Sequence, residues 1–292
     1  MKELNGLGTA LITPFKADGS VDFEALARLL DTQLTGFVDY IVVLGTTGEA
    51  ATMTADEKRD VRRFIVEYVK GRLPLVLGVG GNNTAAVCAE LSALRDELVR
   101  DYAAILSVCP YYNKPNQEGL YQHFCAVAEA SPIPVILYNV PGRTGVNLLP
   151  ETVMRIYKAH PDTIAGIKEA SGNIEQIRHL ITLASNLSSF AVISGDDGIA
   201  CEVMQADGAG LISVASNAFP EDFWHIVHDQ DEALQACHTE MIRLLFAEGN
   251  PVGIKAVLAQ MGIINNYLRL PLVPASQQLE LSCASAISLL RS

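Results

Sequence analysis

The sequence predicts an α/β chain folded as a closed (β/α)8 barrel, a TIM barrel, with a C-terminal helical extension. Eight short runs rich in β-branched and aliphatic residues each precede a segment of helical period, and the eight units span about 225 residues. Strands alternating with helices pair in parallel, and eight units at this spacing favour a closed barrel over an open doubly wound sheet. Beyond about residue 230 the pattern is helical only, with Leu234, Cys237, Met241 and Leu245 on one face. No low-complexity linker intervenes. The expected division is a barrel over 1–229 and a helical extension over 230–292 packed on it.

The elements follow in order. "GTALITPF" (8–15) precedes a helix over 22–36, where Phe23, Leu26, Leu30 and Leu34 fall at helical spacing. "YIVVLG" (40–45) precedes a helix opened by a capping box, Thr54 through Glu57, with an apolar stripe at Val61, Phe64, Ile65 and Tyr68. "LPLVLGVG" leads to a helix over 84–100, and "AAILSVC" to one over 117–130. "IPVILYNV" leads to 150–159, where Pro150 suits the first helical position because its missing N–H costs little there. "TIAGIK" leads to 173–185, "FAVISG" to 197–206, and "GAGLISV" to a helix from about 219.

An apolar content of 49% with 18% charged residues indicates a large core. A formal charge of -12 argues against non-specific binding to nucleic acid or anionic membrane, so an anionic substrate needs locally placed cations. The six cysteines (88, 109, 125, 201, 237, 283) show no CxxC spacing and lie mostly in apolar segments, which reads as reduced, partly buried thiols. The N-terminal stretch lacks a signal-peptide pattern, and no apolar run reaches membrane length; the expected location is cytoplasmic.

In such barrels the chemistry gathers at the C-terminal ends of the strands. The sixth run ends on Lys168, followed by Glu169. Partial desolvation at a barrel mouth disfavours an ammonium, and a neutral amine supports Schiff-base formation with a carbonyl. The bland alternative is a surface lysine paired with Glu169, and strand-end position alone does not choose between them. Tyr138 ends the preceding strand, where a phenol can relay protons, though a lone aromatic at a strand end is more often packing. "GTTGE" (45–49) offers backbone N–H groups and the hydroxyls of Thr46 and Thr47 to a small carboxylate, a weak signal by itself. Arg143, in "PGRTG", presents a fork suited to a second carboxylate or else a solvated loop arginine. Tyr111 and Tyr112 form a stiff aromatic loop between prolines, fit for a lid, a subunit contact or a catalytic element.

Other features carry less. "GVGGNN" (78–83) departs from GxGxxG at Asn83, which argues against a dinucleotide site. His225 and His228 lack a supporting carboxylate cluster for a metal, and "GDDG" reads as a tight turn lining the mouth.

Taken together, "GTTGEAATM", "PYYNKPNQEGLYQHF", "YNVPGRTG" and "GIKEASGN" resemble, in order and spacing, the dihydrodipicolinate synthase (4-hydroxy-tetrahydrodipicolinate synthase) family of pyruvate-dependent class I aldolases. The likeness runs from "TALITPF" to "LRLPLVP" (268–274). It implies that Lys168 forms an imine with pyruvate and that Tyr138 relays protons at it. Thr47 matches the hydroxyl linking that tyrosine to a second one, and Tyr112 matches this second tyrosine, contributed by a neighbouring subunit of a homotetramer. Thr46 and Thr47 match the pair holding the pyruvate carboxylate, Arg143 the arginine binding the carboxylate of L-aspartate 4-semialdehyde, and Gly195 and Ile212 match pocket-lining positions. The implied reaction is condensation of the two substrates in the diaminopimelate route to lysine, with no metal or organic cofactor.

The related N-acetylneuraminate lyase and 2-keto-3-deoxy sugar acid aldolases share the imine lysine and the tyrosine but usually lack an arginine at the position of Arg143, so "PGRTG" favours the synthase. A binding-only barrel for a keto acid has no need of Lys168, Tyr138 and Thr47 together. One departure concerns regulation. Where lysine-inhibited relatives carry two histidines and a glutamate, this chain has Ala55, Lys58 and Ala86, which should weaken binding of a cationic effector.

Overall fold

In the computed structural model, which describes residues 4–187 and 189–290, eight parallel strands close into one barrel in sequence order. They are β1 (Gly6–Ala10), β2 (Tyr40–Val43), β3 (Leu75–Gly78), β4 (Ala104–Val108), β5 (Val135–Asn139), β6 (Ile164–Glu169), β7 (Ala191–Ser194) and β8 (Gly210–Ser213). Around them run α1 (Phe23–Thr35), α2 (Ala55–Val69), α3 (Thr84–Ala93), α4 (Arg95–Asp101), α5 (Gln117–Ala130), the single turn α6 (Pro141–Thr144), α7 (Pro150–Ala159), α8 (Ile174–Ala184), α9 (Ala200–Gln205) and α10 (Pro220–His228). Three further helices follow: α11 (Glu232–Ala247), α12 (Val252–Gln260) and α13 (Gln277–Leu290).

Strand alternation divides the apolar residues between two cores. Tyr40, Val42, Val76, Leu106, Ile136, Tyr138, Ile193 and Ile212 fill the barrel interior. Their neighbours Ile41, Val43, Leu77, Ile105, Leu137 and Ile167 face outward and pack against Leu30, Ile65, Phe124 and Ile177 of the helices. Burial on both faces is why the strands read as continuous apolar runs.

Helix starts follow side-chain caps. Asp22, Asn116, Asn173 and Asp231 each accept a backbone N–H of the first turn, and Thr54 and Glu57 form the expected reciprocal box at α2.

Four expectations need correction. The helix expected over 84–100 breaks at Leu94 into α3 and α4, because a continuous apolar period is blind to a one-residue change of axis; α4 seats Leu98 in the core and places Glu97 on Arg62 at 2.6 Å. The first strand stops at Ala10; beyond it Ile12 donates its N–H to Asn217 at 3.1 Å, and Pro14 has none to give. The segment 197–206 begins as a 3-10 turn, Asp197–Ile199, before α9. On α11, Met241 and Leu245 are buried, but Cys237 is exposed and His238 takes the inward position, packed edge-on against Phe219 and Phe223 with Nε2 2.7 Å from Asp222. All six cysteines are free thiols. Among the described residues no helix is long and apolar enough to cross a membrane.

Candidate active site

Lys168 and Tyr138 are cross-strand partners in the β5–β6 register; Tyr138 belongs to the barrel interior and Lys168 lies beside it. The Lys168 amine lies 4.6 Å from the centroid of the Tyr138 ring, and the residue is only 5% exposed. Among the described residues no carboxylate pairs with it.

Glu169 occupies the opposite face of β6. Its carboxylate accepts from Asn139 Nδ2 at 2.9 and 3.1 Å, from Gln176 Nε2 at 3.0 Å and from the Ser171 N–H at 2.8 Å. Burial pushes this carboxyl above its usual range, and those donors oppose the rise. The Lys168–Glu169 surface pair allowed by the sequence is therefore not formed.

Gly195, just past β7, fits because a Cβ there would come within 2.8 Å of Lys168 Cε and 2.6 Å of Ala170 Cβ. Ile212 sits in the internal cluster that includes Tyr138. Thr46, Tyr138 and Arg143 share the wall of a cavity of about 330 Å³ that also touches Gly45, Tyr111 and Val140. Lys58, Arg62 and Glu90 line the same cavity. Lys168, Thr47, Gly195 and Ile212 are not part of that wall.

Arg143 rides on α6, a turn opened by Pro141 and closed by Gly145 in the left-handed region at φ 74°. Tyr112 stands apart from its own chain's site: 89% exposed, with φ 74°. A side chain in that backbone region costs about 1–2 kcal/mol, and among the described residues little covers the ring.

Sequence reasoning missed Asn250. Its Nδ2 donates to Thr47 Oγ1 at 2.9 Å, and its backbone carbonyl accepts from the Arg143 guanidinium at 2.9 Å. The Asn-Pro pair marks a turn, but no local signal shows that the turn reaches a loop 203 residues away. Glu49, the last residue of GTTGE, is also held from the C-terminal helices: Lys255 Nζ bonds its Oε1, and the Arg269 N–H donates to Oε2 at 3.2 Å. Burial draws the Lys255 ammonium down to about 8, with Glu49 opposing. The Thr47 hydroxyl receives the Asn250 donor, and among the described residues no hydrogen bond joins it to Tyr138.

His225 and His228 are paired instead with Asp229 at 2.6 Å and Asp39 at 2.7 Å. The second acidic residue of the GDDG turn, Asp197, is structural: Ser213 Oγ donates to it at 2.5 Å and the Val214 N–H at 3.1 Å.

Comparison with known proteins follows the same lines. A model of the dihydrodipicolinate synthetase family matches residues 3–290. A 4-hydroxy-tetrahydrodipicolinate synthase of Parabacteroides distasonis is 51% identical over 278 residues, covering 93% of this chain and 92% of the relative. One from Flavobacterium psychrophilum is 49% identical over 286 residues, covering 96% of each. The crystal structure of the chloride-inhibited dihydrodipicolinate synthase of Acinetobacter baumannii, complexed with pyruvate, superposes with a TM-score of 0.93 at 37% identity and covers 99% of both chains. With the family model spanning nearly the whole chain and a closed barrel of the same architecture, the chain belongs to the dihydrodipicolinate synthetase family.

Proposed function

We propose that this chain is a lyase-class enzyme that condenses pyruvate with L-aspartate 4-semialdehyde to 4-hydroxy-tetrahydrodipicolinate, in the diaminopimelate route to lysine. The observation that carries the reading is Lys168: an amine inside the barrel mouth, beside Tyr138, with its sequence neighbour Glu169 engaged on the other face of the strand. The relative from Acinetobacter baumannii was solved with pyruvate, which supports the same first substrate here.

Lys168 attacks the keto carbon of pyruvate. The carbinolamine loses water with proton transfer through the Tyr138 phenol, giving an imine. The iminium is an electron sink, so loss of a proton from the pyruvate methyl yields an enamine. The enamine attacks the aldehyde carbon of the second substrate, forming the new C–C bond. The substrate's own amine then displaces Lys168 from the imine carbon and closes a six-membered ring, freeing the lysine.

Thr46 and Thr47 hold the pyruvate carboxylate, and Gly195 and Ile212 shape the space around the imine. Arg143 binds the carboxylate of the semialdehyde as a charge-assisted fork. Tyr112 serves the site of a neighbouring chain, and the active unit is a homotetramer. The exposure of Tyr112 supports that role. The division proposed is a catalytic barrel up to residue 229 and, from 230, an extension packed on it. The free state of every cysteine fits a reducing cytoplasm. Inhibition by lysine is expected to be weak, because Ala55, Lys58 and Ala86 stand where lysine-inhibited relatives carry two histidines and a glutamate, which removes an acidic partner and adds a cation.

A direct assay offers pyruvate with either aspartate semialdehyde or N-acetylmannosamine. Turnover with the semialdehyde alone supports the proposal. Turnover with N-acetylmannosamine alone overturns it in favour of the sugar-acid aldolases.

A further inference from the structure

Asn250 sits in the turn between α11 and α12, outside the eight strands, yet it touches two residues of the mouth at once. Its side-chain amide donates to Thr47 Oγ1 at 2.9 Å, and its backbone carbonyl accepts from Arg143 at 2.9 Å. The residue is buried, at 7% exposure, and its Oδ1 is enclosed without a partner. An enclosed amide that leaves its own oxygen unsatisfied while directing N–H at a hydroxyl is held for a reason other than solvation.

The consequence lies in the Thr47 hydroxyl. A hydroxyl carries one O–H donor and two acceptor lone pairs. With Asn250 N–H occupying a lone pair, the Thr47 proton cannot be given to Asn250 and must be directed elsewhere. The reverse orientation, with the amide oxygen toward Thr47, would capture that proton and remove the donor from the site.

We propose that Asn250 is a positioning residue for the condensation: its amide keeps the Thr47 hydroxyl a donor toward the keto-acid substrate, while its carbonyl fixes the base of Arg143. The inference rests on the reading of Thr47 and Lys168 given above. Because the hold on Arg143 is through the backbone, side-chain variants of Asn250 separate the two halves. Replacement by alanine removes the donor. Replacement by aspartate substitutes an acceptor that competes for the Thr47 proton.

The test measures the rate of borohydride-trapped adduct formation with pyruvate, and KM for the semialdehyde, in wild type, Asn250→Ala, Asn250→Asp, Thr47→Ala and the double variants. Loss of one hydrogen bond to a reacting complex corresponds to roughly a 5- to 100-fold effect. Both single Asn250 variants should slow adduct formation within that range, with the aspartate the slower. KM for the semialdehyde should stay within about twofold, since the Arg143 contact is to backbone. In the Thr47→Ala background the Asn250 changes should have no further effect on adduct formation, which a merely structural role would not produce. If Asn250→Asp fails to fold, Asn250→Ala carries the test. Unchanged adduct formation in Asn250→Ala, or an equal loss that persists without the Thr47 hydroxyl, overturns the proposal. Absence of any adduct in the wild-type protein overturns instead the reading of Lys168 on which it rests.

Discussion

Lys168 and Glu169 are adjacent in the chain and have opposite surroundings, because successive strand residues point to opposite faces. The amine enters the barrel beside Tyr138, and the carboxylate enters a hydrogen-bonded layer with Asn139 and Gln176. Lys168 was legible in the sequence because a charged residue closing an apolar strand is conspicuous. The partner of Glu169 was not, since it depends on the register between β5 and β6. Asn250 was hidden for a similar reason: its contacts are long-range, and an asparagine before a proline looks like any other turn. Gly195 is packed closely against the stem of the amine. A Cβ would press on the Lys168 stem at 2.8 Å and on Ala170 at 2.6 Å, so Gly195→Ala should displace the amine. We expect at least about a tenfold fall in the rate of adduct formation with pyruvate, and a stability loss of about 1–3 kcal/mol from overpacking. Rapid-quench trapping together with denaturant unfolding measures both.

Elements reveal the same division between local and tertiary signals. The capping box of α2 and the proline start of α7 are written locally, and they stand where the sequence puts them. The break at Leu94 and the rotation of α11 onto His238 are tertiary, set by the Arg62–Glu97 pair and the Asp222–His238 contact. Asp197 links the turn after β7 to the end of β8, and burial raises its carboxyl from 3.8 to about 6 despite the donors around it. The folded state then binds more protons than the unfolded state between those values, so this group makes stability fall as pH rises from about 4 to about 6. The whole effect is on the order of 3 kcal/mol. The difference in unfolding free energy between wild type and Asp197→Asn should fall as pH rises across that range, and a difference independent of pH would contradict the assignment. Glu57 acts in the opposite sense. Its hydrogen bonds to Arg269 hold it down to about 2, so its contribution is present above 4.5 and is lost as pH falls through the lower range. The two windows meet near pH 4, and within the Asp197 range burial also raises Glu169 and lowers His123 to about 4, the histidine acting in the opposite sense, so the Asp197 contribution is read as the difference between wild type and Asp197→Asn. Between elements, Lys255 of α12 is fully buried against Glu49. Lys255→Met would strand that carboxylate, and a destabilisation of about 3–5 kcal/mol is expected in chemical denaturation.

At the scale of the whole molecule, the closed barrel was legible from eight repeated units, because each strand is buried on both faces and each helix on one. How the C-terminal helices meet the barrel was not, since the grip of Asn250, Lys255 and Arg269 on residues 47–57 is made by polar contacts without periodicity. The exposed Tyr112 carries the assembly prediction. If it completes a neighbour's site, mixing inactive Lys168→Ala and Tyr112→Phe chains under exchange should restore activity, at roughly a quarter of wild-type sites for random pairing. No recovery despite demonstrated exchange would place Tyr112 outside the reaction. The central claim, however, concerns one bond. Borohydride reduction in the presence of pyruvate, followed by peptide mass analysis, should find the reduced adduct on the peptide bearing Lys168 and none in Lys168→Ala, which should also lack turnover. An adduct on another lysine, or wild-type turnover in Lys168→Ala, would contradict the account.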